Sequence, residues 1–235
     1  SWTTVTSLPT ATVNMAGFGI ETAGGCAGGN VGSETGNTYE WGGSSWTTGG
    51  AYPAAIRLMG VTGTAPATTG LAFGGQAGGS PSPGNVTTNN SYDGSTWTSQ
   101  TAIPTATSAN SGAAGTSASA LMMGGNAPSA TANCFKYDGT SWTATPSLGT
   151  ARRNAFGMGS TTAALSAGGS SAPGADLSVT EEFNNSVTVI TAGAWAAGGA
   201  LNTGRDSYYG GSRNGTQTAF RTAGGYASTA NVVNN

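Results

Sequence analysis

Short runs of apolar and small residues alternate with turn residues along the whole chain. Residues 136–169 show the pattern most clearly: a Tyr-Asp-Gly turn leads to a Trp-headed polar run, and an apolar run then ends in Gly-Gly. Asp-Gly favours tight hairpins, because these residues accept the positive φ angles that such turns need. The pattern therefore predicts short antiparallel strands and an all-β chain.

This stretch is repeated. Residues 1–29 match residues 141–169 without a gap, and the same order of features recurs between them. A tryptophan begins each copy: Trp2, Trp46, Trp97, Trp142 and Trp195. An apolar run ending in a glycine pair closes each copy: Gly28-Gly29, Gly74-Gly75, Gly124-Gly125, Gly168-Gly169 and Gly224-Gly225. Regular repeats of this length indicate an architecture built from stacked units.

Four strands per copy predict one blade of a β-propeller. We therefore expect a single domain over residues 1–235, a five-bladed β-propeller of four-stranded antiparallel blades. The chain begins with an outer-strand sequence and ends at residues 232–235, where the next outer strand should start. Residues 1–9 are accordingly predicted to complete the last blade and to close the ring.

The order of motifs allows a comparison with a known family. Arg near the start of the inner strand, an apolar strand ending in Gly-Gly, an aromatic residue before a turn and an outer-strand Trp is the order of kelch motifs, so the chain resembles a kelch-like propeller. TAALSAGG, LAFGG, YDGTSWT and LGTARR are similar to Thr/Ala/Gly-rich kelch-like repeats of tailed-phage virion proteins, marine ones especially. This resemblance implies localisation in a virion. Three departures are expected: Trp41 and residues 186–193 each lengthen an outer hairpin, and Val233 replaces the aromatic residue of the last copy.

Composition excludes several classes of partner. Charged residues make up 7% of the chain and the net charge is −2. Nucleic-acid binding is not expected, because it relies on clustered Lys and Arg and the chain has a single lysine, Lys136. Membrane insertion is not expected either, since no apolar run approaches the ~20 residues that span a bilayer. Cys26 and Cys134 fall in blades that are not neighbours, so unpaired thiols are predicted.

Arginines mark the candidate binding site. Arg152-Arg153 and Arg205-Asp206 occupy matched positions at the starts of inner strands, and Arg57 aligns with Arg153. These starts open onto one face of a propeller near its axis. Two interpretations follow: the arginines brace neighbouring blades through loop carbonyls, or they bind the carboxylate of an acidic sugar, for which the planar guanidinium is suited.

Trp41 is a further binding candidate. An exposed tryptophan in a turn can stack on a sugar ring, and it can equally pack against its own hairpin. The sequence leaves both interpretations open.

Catalytic chemistry is poorly supplied. The chain has no histidine, which removes the copper chemistry of kelch-type oxidases, Ser/His/Asp triads and most zinc sites. Glu181 and Glu182 are adjacent in a predicted strand and point to opposite faces, so they cannot act as an acid and base pair on one substrate. No catalytic residue, metal or cofactor is predicted.

A non-catalytic structural or adhesive propeller of a phage particle is therefore the favoured function. It would be part of the tail, a fibre or the capsid surface, in contact with other virion proteins and with glycans of the host surface. A free-standing lectin with repeated sites is the alternative, and a glycan-acting enzyme ranks third. A propeller fold supports many activities, so the fold alone does not decide among them, and the oligomeric state stays open.

Overall fold

The computed structural model describes residues 1–62, 68–78, 84–108 and 113–185, together with three later strands. In this part of the chain every regular element is a β-strand, and no helix is present. The prediction of an all-β chain is confirmed.

The strands are short. In chain order they are β1 (Ala16–Ile20), β2 (Ala23–Ala27), β3 (Thr38–Trp41), β4 (Trp46–Thr48), β5 (Ile56–Arg57), β6 (Gly60–Thr62), β7 (Gly70–Phe73), β8 (Gln76–Ala77), β9 (Gly84–Asn85), β10 (Asn89–Tyr92), β11 (Trp97–Ser99), β12 (Ala113–Thr116), β13 (Ser119–Met123), β14 (Cys134–Tyr137), β15 (Trp142–Thr145), β16 (Phe156–Gly159), β17 (Ala163–Ala167), β18 (Ser170–Ala172), β19 (Ala175–Asp176), β20 (Thr180–Asn184), β21 (Ala194–Ala197), β22 (Tyr226–Ala227) and β23 (Ala230–Asn231).

Sixteen of these strands form four antiparallel sheets of four strands each, which we call units 1 to 4. Unit 1 contains β1-β2-β3-β4, unit 2 contains β6-β7-β10-β11, unit 3 contains β12-β13-β14-β15, and unit 4 contains β16-β17-β20-β21. Each unit is a meander, interrupted in units 2 and 4 by a small hairpin between the second and third strands. The predicted four-stranded repeat is confirmed in these four places.

Each unit ends with a tryptophan facing an aromatic residue on the neighbouring strand. The pairs are Trp41 with Trp46, Tyr92 with Trp97, Tyr137 with Trp142 and Phe183 with Trp195. Trp41 therefore occupies the aromatic position of unit 1, and its hairpin has the same length as those of units 2 and 3. The prediction that Trp41 lengthens this hairpin is wrong, because Gly42-Gly43 takes the place of Asp-Gly in the turn.

Neighbouring units contact each other in chain order. The first strands β1, β6, β12 and β16 lie side by side in series. One backbone hydrogen bond recurs at all three interfaces: the second glycine of the pair donates its N–H to a carbonyl of the next unit. The bonds are Gly29 N to Ile56 O, Gly75 N to Thr107 O and Gly125 N to Arg152 O.

The core lies mainly between units. The ring of Phe18 on β1 packs edge-on against Tyr92 and Trp97 of unit 2, with centroids 6.1 and 5.9 Å apart. Phe73 of unit 2 makes the equivalent contact with Trp142 of unit 3, at 5.1 Å. Aromatic contacts of this kind add to the burial of apolar area that holds the units together.

The beginning of the chain departs from the prediction. Residues 1–9 form no strand, and the side chains of Trp2 and Val5 are 103% and 62% exposed. The hydroxyl of Thr6 donates to the carbonyl of Ser44, at 3.0 Å. An outer strand forms only beside a third strand, and the last copy is described only at β22 and β23, which pair with each other. The expected closing strand over residues 1–9 is thus corrected, and residues 186–193 and Val233 lie outside the described residues.

Candidate functional site

The starts of the inner strands, where the arginines are predicted, form a small antiparallel ladder that recurs in each unit. It has three paired positions. The first is Val13, Arg57, Ser108 or Arg153; the second, directly after the glycine pair, is Asn30, Gln76, Asn126 or Ser170; the third is Glu34, Asn85, Ala130 or Asp176. We call these residues the polar ladder. The predicted alignment of Arg57 with Arg153 is confirmed, since both occupy the first position.

A left-handed residue turns the chain from the ladder into the first strand. Asn14, Leu58 and Asn154 each follow a first-position residue and have φ angles of 59°, 55° and 55°. Asn tolerates this conformation better than other non-glycine residues, because its short polar side chain bonds locally. Leu58 is therefore the strained member of the set.

The ladder is connected between units as well as within them. The side-chain amide of Asn85 in unit 2 donates to the backbone carbonyl of Asn126 in unit 3, at 2.7 Å. Arg57 Nε of unit 2 lies 3.4 Å from Glu34 Oε1 of unit 1. Directly opposed residues in an antiparallel pair place their side chains on the same face. The ladder is thus a continuous strip of polar side chains at one end of the inner strands.

Arg152 lies beside the ladder and is fully buried, with 0% exposure. Its guanidinium donates to the carbonyls of Gly168 and Val179, at 3.2 and 2.7 Å, and forms an ion pair with Glu181. Burial lowers the pKa of Arg152, while the charge of Glu181 opposes that shift. Arg152 braces its own unit and cannot reach a ligand, which corrects its assignment as a binding residue.

The carboxylate of Glu181 is equally committed to the fold. It accepts hydrogen bonds from the backbone N–H groups of Gly149 and Thr150, at 2.5 and 3.1 Å, in addition to the ion pair. A buried carboxylate with several donors is stabilised in its charged form. The bracing interpretation of the sequence therefore applies to Arg152.

The other arginines differ in accessibility. The side chain of Arg57 is 26% exposed and faces the nearly buried carboxylate of Glu34. Arg153 is half-buried, and its Nε lies 3.5 Å from the hydroxyl of Ser170 in the same ladder. Arg205 and Asp206 lie outside the described residues. Arg153 is consequently the described arginine best placed to contact a ligand at the ladder.

Trp41 does not belong to this site. Its ring packs against Trp46 with centroids 5.3 Å apart, and it is half-buried. It ends β3, whereas the ladder of unit 1 adjoins the start of β1 and the end of β2, so the two lie at opposite ends of the sheet. The structure does not bring Trp41 together with the arginines.

Sequence reasoning missed most of the ladder. Asn30, Gln76 and Asn126 share one signal, which is their position directly after a glycine pair. The acidic partners Glu34 and Glu181 carry no such signal, because only the fold brings them next to an arginine. The polar ladder is therefore largely a finding of the structure.

Thiols and metal ligands add no chemistry among the described residues. Cys26 and Cys134 are free, as predicted, and burial raises the pKa of Cys26 to about 11. In the same part of the chain, no group of three or more His, Cys, Asp or Glu is placed to hold a metal ion. The described residues also contain no helix long and apolar enough to cross a membrane.

Comparison with known proteins gives a likeness in fold. No protein-family model matches the chain, and no curated protein matches it in sequence. A solved structure, "Structure of YjhT", is similar with a TM-score of 0.80 and 15% sequence identity, over 100% of this chain and 83% of that chain. At this identity the likeness shows the fold alone. The chain has, over its whole length, a fold similar to that of the YjhT structure.

Proposed function

We propose that this chain is a five-bladed, kelch-like β-propeller that acts as a non-catalytic structural or adhesive component of a tailed-phage particle. One observation carries the non-catalytic part. The charges beside the polar ladder are used inside the fold, as the pairs Arg57–Glu34 and Arg152–Glu181. What remains at the ladder is a surface dominated by amides and hydroxyls, which suits passive contact with a partner.

The five-bladed ring is supported by unit 1. Among the described residues, the large exposed apolar side chains all belong to the beginning of the chain: Trp2, Val5, Val13, Ile20 and Val31. In unit 2 the aromatic pair Tyr92 and Trp97 is buried under Phe18 of the preceding unit. The equivalent pair of unit 1, Trp41 and Trp46, is only half-buried. A fifth unit packed on unit 1 would cover this pair.

The backbone of the last copy supports a fifth unit of the same kind. Tyr226 follows a glycine pair and pairs with Asn231 across β22 and β23. Ser170 follows a glycine pair in the same way and pairs with Asp176 across β18 and β19. We take the later hairpin as the fifth copy of the polar ladder.

The particle assignment rests on the Thr/Ala/Gly-rich kelch-like phrasing of the repeats. Its test is mass spectrometry of purified phage particles from the source community, with capsid proteins as the internal standard. We expect peptides of this chain to copurify with infectious particles through a density gradient. Peptides that stay in the soluble lysate and are absent from particles would contradict a virion role and its contacts with other virion proteins.

A free-standing lectin is the second candidate, and the ladder favours it specifically. Three of the four described second positions carry an amide, and such side chains both donate to and accept from sugar hydroxyls. A lectin with repeated sites predicts one ligand per unit in a calorimetric titration. A structural component with a single contact site predicts fewer.

A further inference from the structure

The ladder of unit 3 differs from the others in leaving two polar groups without a partner. Ser108 and Asn126 face each other, joined by reciprocal backbone hydrogen bonds of 3.0 and 2.7 Å. Ser108 is 1% exposed, and neither its hydroxyl nor the Oδ1 atom of Asn126 has a hydrogen-bond partner. Both side chains lie on the same face of the pair.

The second-position side chains of the other described units all have an internal partner. Asn30 Oδ1 accepts from the N–H of Gly32, at 2.8 Å. The amide of Gln76 donates to Asn85 Oδ1 at 3.4 Å, and the Ser170 hydroxyl accepts from Arg153 at 3.5 Å. Unit 3 is therefore the exception within the described ladder, and an unsatisfied buried polar group is costly enough to need an explanation.

The third ladder position explains why unit 3 is free to take a ligand. Units 1, 2 and 4 have Glu34, Asn85 and Asp176 there, whereas unit 3 has Ala130. The alanine leaves out the polar side chain that occupies this position elsewhere. Asn126 and Ala130 are both half-buried, so the position lies close beneath the surface.

We propose that Ser108, Asn126 and Ala130 form a subsite for a neutral sugar, which inserts one hydroxyl group between the two unpartnered oxygens. An alcohol hydroxyl donates its proton to Asn126 Oδ1 and accepts the proton of Ser108, so both groups are satisfied at once. A carboxylate cannot donate to Asn126 Oδ1, which separates this ligand from the acidic sugar that the arginines suggest. The subsite rests on the proposed glycan-contact function and specifies its ligand class.

The test is an NMR titration of the whole chain with methyl α-glucoside, methyl α-galactoside and methyl α-mannoside, with glucuronic acid as the acidic comparison. We expect saturable shifts of the Asn126 side-chain amide with at least one neutral glycoside. Ala130→Asn supplies the missing amide, as Asn85 does in unit 2, and should weaken that binding by about tenfold or more, which corresponds to ~1.4 kcal/mol. Thr143→Asn, which places the same side chain on the exposed outer strand of unit 3, should bind as the original chain does.

Thermal melts of both variants establish that they are folded. The proposal is overturned if no neutral glycoside gives saturable shifts at Asn126, which would leave an ordered water as the occupant. It is also overturned if folded Ala130→Asn binds unchanged, or if glucuronic acid is preferred. Presence of the chain in purified particles together with a failed titration would refute the subsite and leave the structural role standing.

Discussion

Arg152 and Glu181 form a buried ion pair within unit 4, in which the guanidinium also holds two backbone carbonyls and the carboxylate holds two backbone N–H groups. The pair joins the loop before β16 to the third strand of the same sheet. Its charges are satisfied by the fold, so its role is to fix the geometry of the unit.

This role predicts a large loss of stability for Arg152→Met. Removal of one partner leaves the carboxylate of Glu181 buried without its counter-charge, which should lower the free energy of unfolding by about 3–5 kcal/mol. Urea denaturation measures the difference. The neighbouring Arg153→Met is the control and should cost about 1 kcal/mol or less, because Arg153 is half-buried and its hydrogen bond is long.

The double variant Arg152→Met, Glu181→Met refines this prediction. It removes both buried charges and should recover part of the stability that the single variant loses. If Arg152→Met were as stable as the original chain, Arg152 would not be a brace.

A second prediction concerns the close approach of units 1 and 2 at Gly50. A Cβ added there would meet the backbone carbonyl of Ser95 in the next unit, and the N–H of Gly50 donates to the Tyr92 hydroxyl at 3.3 Å. Gly50→Ala should therefore destabilise by about 1–3 kcal/mol in thermal or urea unfolding. Gly42→Ala is the matched control: nothing lies within 4 Å of its Cβ, so the change should stay within about 0.5 kcal/mol. Equal effects of the two substitutions would contradict the tight interface.

Leu58→Asn should stabilise the protein. Leu58 has a φ of 55° at a position where units 1 and 4 have Asn14 and Asn154. The left-handed conformation costs about 1–2 kcal/mol for an ordinary residue, and Asn relieves part of this. We expect a gain of about 0.5–1 kcal/mol and a higher Tm by calorimetry. A lower Tm would mean that packing of the half-buried Leu58 side chain outweighs the backbone strain.

The acid dependence of stability follows from the turn of unit 3. The carboxylate of Asp138 accepts hydrogen bonds from the N–H and hydroxyl groups of Thr140 and Ser141, and these bonds lower its pKa below the ordinary value. A depressed pKa in the folded state contributes stability above the unfolded value of about 3.9, and the contribution is lost as the pH falls below it. Asp93 makes the same four bonds in unit 2 and has the same shift.

Asp138→Ala should accordingly lower the Tm at pH 7 and have a smaller effect at about pH 2, where the carboxylate of the original chain begins to be protonated. Melts over this pH range measure the difference. A gap in Tm that is the same at both pH values would show that the carboxylate charge is not the source of the effect.

The sequence was most informative where a feature recurs in several copies. The tryptophans Trp46, Trp97 and Trp142 predict the outer strands, and the shared position of Arg57 and Arg153 is visible in the alignment. Trp41 was misassigned because its turn, Gly42-Gly43, lacks the Asp-Gly signal of the other copies.

Contacts between distant residues were beyond sequence reasoning. Glu34 meets Arg57 across a unit boundary, and Glu181 meets Arg152 across the width of a sheet, so no spacing rule links either pair. The unpartnered Ser108 and Asn126 were equally invisible, because satisfaction of a polar group depends on the fold around it. Residues 1–9 repeat an outer-strand sequence, yet they form no strand without a neighbouring strand in place.

The central claim is that a fifth unit packs on unit 1 and completes a ring. Hydroxyl-radical footprinting with mass spectrometry tests it most directly, because Trp41 and Trp46 would be covered by that unit. Trp97, which is 9% exposed, sets the slow rate, and the fully exposed Trp2 sets the fast rate. A closed ring predicts that Trp41 and Trp46 are oxidised as slowly as Trp97; oxidation as fast as that of Trp2 would contradict it.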